Sequence, residues 1–146
     1  MCEYRDVFTV RREPDPVPRA APPGSPPVAP PGWPDGVRAP GSPDWERSAL
    51  NWLLDISPPE YRGYPELRRH PVVLARFAVL HVEASQAAVN RGLSEARGVL
   101  REVAGEAEIA AALAIWERES ARLIGVRRAV ALVEDALRGR RYVARM

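Results

Sequence analysis

The chain has no lysine. All 21 basic side chains among its 146 residues are arginine. With its abundant Ala, Pro and Gly, this skew points to GC-rich coding, so an isolated Arg is weak evidence for a selected guanidinium. Set against 19 acidic residues, the net charge is only +2, too near balance for the broad positive field of a DNA-coating protein. The single cysteine, Cys2, excludes an internal disulfide and a cysteine-based metal site. It fits a reducing compartment, and we expect a cytoplasmic protein. The N-terminus lacks a signal-peptide pattern, and no uninterrupted apolar run approaches about 18 residues, the length of a membrane span. No membrane partner is therefore expected.

Chemistry-bearing residues are equally sparse. His70 and His81 are the only histidines. His81 and Glu83 point to different helix faces, and the Glu-x-x-His repeat of a di-metal bundle is missing. No Ser/His/Asp or Cys/His set has a supporting context, and Gly24, Gly32, Gly36 and Gly41 form no phosphate loop. The expectation is a non-enzymatic protein with no catalytic residue, metal or cofactor.

Proline divides the chain. All 16 prolines lie between Pro14 and Pro71. Residues 1–12 carry Tyr4, Val7, Phe8, Thr9 and Val10, a short extended peptide. Residues 13–42 read as a Pro-rich disordered linker that favours polyproline II and serves as a flexible tether. Within it Trp33 either anchors the arm on the folded body or stands exposed. The PxxP spacings Pro23/Pro26, Pro27/Pro30, Pro31/Pro34 and Pro40/Pro43 would suit an aromatic groove that reads polyproline II, but dense proline produces such spacing by chance and the linker reading leads.

Residues 43–146 read as an all-α domain: a short helix over 43–56, then a long antiparallel hairpin of helices over 71–104 and 106–138. Ser42 and Pro43 suit a helix start, and Pro58 and Pro59 suit its end. Gly105 and Gly139 read as helix terminators. In the last helix Ile109, Trp116, Leu123, Val130 and Leu137 lie seven apart, complemented by Ala112, Glu119, Val126 and Val133. This is a sustained coiled-coil seam. The preceding helix offers Val73, Phe77, Leu80, Ala84 and Ala87 in its first half, and Val89, Leu93, Ala96, Leu100 and Val103 in its second. Reversal near Gly105 places residues whose numbers sum to about 210 at one height on antiparallel helices, setting Phe77 by Val133 and Arg91 by Glu119. Gly92, Gly98 and Gly125 either admit a close neighbour or are merely tolerated.

Two surfaces stand out. The last helix is apolar over nearly half its circumference, more than one neighbour covers, so Ile115, Trp116, Ile124, Val126, Leu132 and Val133 are a candidate association face. It would serve a homo-oligomer or a helical protein partner. The second is Tyr61, Arg62, Tyr64, Arg68, Arg69, His70 and Arg76, whose guanidinium forks beside a helix start could hold an anion, an acidic partner or RNA. The competing reading packs the tyrosines as a lid and leaves the arginines solvated or paired. The basic tail Arg138, Arg140, Arg141 and Arg145 reads more simply as a solvated helix end than as a nucleic-acid contact. The leading expectation is a scaffold or adaptor that associates through an apolar helix face.

Overall fold

A computed structural model describes residues 26–140 and 142–143. The peptide at 1–12, the first part of the Pro-rich arm, Arg141 and Arg145 lie outside the described residues. The fold is all helical there: α1 (Trp45–Asp55), a 3-10 turn (Pro59–Gly63), α2 (Pro65–Arg69), α3 (Pro71–Leu100) and α4 (Glu106–Leu137). The expected hairpin is present as α3 and α4.

Local chemistry sets the boundaries. Pro59, Pro65 and Pro71 each open a helix, where a missing N–H costs nothing. At the far end of α4, Gly139 takes φ 84°. The Gly139 and Arg140 amides bond back to Ala136 and Asp135, a Schellman closure that a side chain at Gly139 would strain. Two boundaries differ from the sequence reading. α3 stops at Leu100, where the amides of both Val103 and Ala104 share the Leu100 carbonyl. Gly105 then acts as the N-cap of α4 and not as a terminator for α3. Ser42 does not cap α1: its hydroxyl donates to the Ala39 carbonyl at 2.5 Å, and Asp44 takes the N-cap position in the left-handed region, φ 59°, which Asp tolerates better than most residues.

The core lies at the open end of the hairpin. Leu53 and Leu54 of α1, Leu67 of α2, Leu74, Ala78 and Val82 of α3, and Val130 and Val133 of α4 form one buried cluster. Small residues let α1 approach: Ala49, Ala75 and Ala78 are all fully buried. Residues 30–42 are not a free linker. They turn repeatedly against this core, with Val37 buried and the Trp33 indole donating to the Val37 carbonyl at 2.8 Å. Trp33 also tilts against Trp45 at 6.4 Å, and the Arg38 amide donates to the Ser48 hydroxyl of α1 at 2.9 Å. Trp33 is thus an anchor. The indole, buried Val37 and the turn hydrogen bonds Trp33–Pro30, Val37–Pro34 and Ser42–Ala39 together oppose the entropy of ordering the segment.

The α4 seam is as expected, every position from Ile109 to Leu137 being buried or half-buried. The α3 side is not. Its inward residues in the first half are Leu74, Ala75, Ala78, Val79 and Val82, whereas Val73, Phe77 and Leu80 are exposed. Helix α3 is apolar on both faces there. Its most apolar 18 residues have a mean hydropathy of 1.4, enough by length and composition to cross a membrane, yet only 28% of that window is buried. Counting uninterrupted apolar runs passes over this window, because Arg76 and Glu83 interrupt it.

Candidate association surface

The height relation between the two long helices holds. Arg127 donates to Glu83 at 3.1 Å, and Arg76 lies 3.2 Å from Glu134. The face does not hold for the expected acidic partner. Glu119 is bound by Arg122 of its own helix, and Arg91 by Glu95. The Arg122 hydrogen bond draws the Glu119 carboxyl below the usual carboxylate range, against opposing desolvation, and raises Arg122 reciprocally.

The association face expected on α4 is dispersed. Val133 is fully buried. Val126 and Trp116 pack against the core. Leu132 is half-buried, with its Cδ1 3.6 Å from where a Cβ on Gly32 would stand, so the arm reaches it. Only Ile115 (56% exposed) and Ile124 (40%) remain open, and nine residues at 100° apiece set them on opposite sides of α4. Trp33 is the one sequence signal that the arm folds back; that it reaches Leu132 of α4 is not legible in the pattern.

The Arg62 and Arg76 guanidiniums of the Arg/Tyr segment are likewise drawn to separate partners. Tyr61 stacks edge-on against Phe77 at 5.6 Å, as the lid reading expects. Arg62 is taken by Asp55 at 2.5 Å and Arg76 by Glu134. Tyr64, Arg68, Arg69 and His70 are exposed on the outside of the connection and do not converge. Among the described residues no cluster of three His, Cys, Asp or Glu side chains is placed to hold a metal. Two concavities among the described residues are shallow and open, one between Gln86 and Ile124, Arg127, Arg128 and Ala131, the other beside it along Glu83, Gln86, Ala87, Asn90 and Arg127.

What the structure does assemble is a stripe on α3. Val73, Phe77 and Leu80 are 46%, 44% and 58% exposed, and Ala84 and Ala87 continue the row, also exposed. These five residues alternate at four- and three-residue spacing, which keeps them on one line on the side of α3 away from the buried face of Leu74, Ala75, Ala78, Val79 and Val82. The sequence pattern assigns this row to the inward seam; its periodicity is legible and its direction is not. No protein-family model, curated protein or solved structure matches the chain.

Proposed function

We propose that this chain is a non-enzymatic helical adaptor that docks another helix on the α3 stripe. The observation that carries the reading is the second apolar row on α3. Soluble helices expose apolar residues singly, whereas a row with heptad spacing is the pattern that a facing helix buries. Two features support it. The stripe is carried on a rigid element, since the opposite face of α3 is locked into the core. The shallow grooves beside it offer a small substrate little enclosure. The packed arm at 30–42 covers α1 and reaches Leu132 of α4, and the apolar residues still open on α4, Ile115 and Ile124, form no row.

A photo-crosslinking residue placed at Leu80 tests this, with one at Arg118 on the exposed side of α4 as control. The expected result is a discrete protein adduct from position 80 and none from 118. No adduct at 80, equal labelling from both positions, or partition of the protein onto lipid vesicles instead would overturn it.

A further inference from the structure

The charges beside the α3 stripe say which helix fits it; this inference rests on the docking reading above and names its occupant. Arg76 and Glu83 sit on the same edge of the row, each immediately before a stripe residue, Phe77 and Ala84. They are seven residues apart, so one lies two turns above the other. Both side chains remain about half exposed, Arg76 at 50% and Glu83 at 41%. Each is engaged at one end only. Arg76 uses Nη2 towards Glu134, and Glu83 uses Oε1 towards Arg127. A guanidinium carries five N–H donors and a carboxylate about four acceptor positions, so both keep capacity for a second partner.

We propose that the stripe pairs antiparallel with the same stripe of a second copy of this chain. In antiparallel helix pairs like edges meet, and an edge reading basic and then acidic is complementary to itself when reversed. With Phe77 facing the partner subunit's Leu80, Val73 meets the partner subunit's Ala84, a large residue against a small one. Arg76 then falls beside the partner subunit's Glu83, and the two-fold axis repeats the pair. A chain of charges results, running from Glu134 through Arg76 across the interface to the second Glu83 and its Arg127. A parallel pairing brings opposite edges together. It would set Arg76 beside the partner subunit's His81 and Glu83 beside the partner subunit's Ala88, with no attraction in either. The row ends where Arg91 takes the next stripe position, so it is about 21 Å long at 1.5 Å per residue. The contact belongs to the small, weakly associating class.

Sedimentation equilibrium on the full chain tests the proposal through exchanged charges. Wild type should dimerise reversibly. Arg76→Glu and Glu83→Arg, each alone, should weaken dimerisation about tenfold, because each sets like charges together twice. An equimolar mixture of the two should restore association to near the wild-type level, since the mixed dimer regains both pairs. A wild type that stays monomeric up to about 1 mM, the range that covers a weak contact, or a mixture no tighter than its components, overturns the proposal. Both residues also hold partners within the hairpin, so circular dichroism must show each variant folded. Where one melts early, Phe77→Cys and Leu80→Cys in a Cys2→Ser background replace them. Mixed, they should form a disulfide-linked heterodimer, and failure to crosslink overturns the pairing. An adduct from position 80 to a different protein, with a monomeric wild type, removes the self-pairing and leaves the docking reading intact.

Discussion

The Trp116 indole is packed against Gly92 so closely that a Cβ at residue 92 would lie 2.6 Å from its Cε2 atom. The ring crosses from α4 onto α3 where a glycine leaves the backbone bare. This contact fixes the spacing of the hairpin beyond the reach of α1.

Gly92→Ala should therefore destabilise the protein. Alanine gains about 1 kcal/mol of helix propensity, but overpacking against a large ring costs about 1–3 kcal/mol, and the Cβ would meet three ring atoms closer than 3 Å. Gly98 and Gly125 have open space where an alanine methyl would stand, so alanine there should stabilise by about 0.5–1 kcal/mol each. Urea denaturation of the three variants checks the contrast. Trp116→Phe combined with Gly92→Ala should recover part of the loss, which a mere propensity effect would not do.

The three glycines are indistinguishable in the sequence, and the reason generalises. Periodicity reports which residues share a face and not which face turns inward. On α4 the seam is legible because one line of Val, Leu, Ile and Trp recurs against a polar background. On the first half of α3 two lines compete, Leu74, Ala78 and Val82 against Val73, Phe77 and Leu80. The larger residues suggest the second line, yet the first is buried, because Ala75 and Ala78 are small enough to admit α1. The height relation between α3 and α4 survives this reversal, since it depends only on where the chain turns. The Arg/Tyr segment is legible as a cluster in sequence, but its charges are drawn apart by Asp55 and Glu134, residues far along the chain or on another element.

Trp33 gives a direct measure of what the arm contributes. Trp33→Ala removes the indole bond to the Val37 carbonyl and the ring contact with Trp45, and should cost about 2–4 kcal/mol. Proteolysis should then open a new cut within 30–42, a segment that wild type protects by packing. Equal protease resistance in the two proteins would show that the turn network holds without its anchor.

Glu134 is clasped from two sides, by Arg76 of α3 at 3.2 Å and by Arg138 of its own helix at 3.3 Å, with its side chain only 12% exposed. Removing its charge leaves two guanidiniums facing each other without a counter-ion. Glu134→Gln should cost about 1–3 kcal/mol, more than either Arg76→Ala or Arg138→Ala alone. Thermal melts at low and high salt should show the gap between Gln and wild type narrowing as salt screens the arginine pair.

Glu119 interrupts an otherwise apolar seam, and its partner decides what it is worth. A register-setting ion pair across the hairpin would make it hard to replace. Arg122 lies on the same helix, and the pair is well exposed, 57% and 39% by side chain, so solvent screens it and its contribution stays well under about 1 kcal/mol. The hydrogen bond from Arg122 lowers the Glu119 carboxyl in the folded state. The stability it adds is therefore present above the unfolded carboxylate value, about 4.3, and is lost as pH falls through the lower folded value. Glu119→Leu should be neutral or stabilising by about 0.5–1 kcal/mol at pH 7, because it continues the apolar line between Trp116 and Leu123 while giving up only a screened pair. The advantage of Leu over wild type should grow slightly as the solution is acidified below pH 4. Denaturation curves at pH 7 and pH 3 measure both quantities, and a clear loss of stability at pH 7 would mean that the carboxylate sets the register of the hairpin after all.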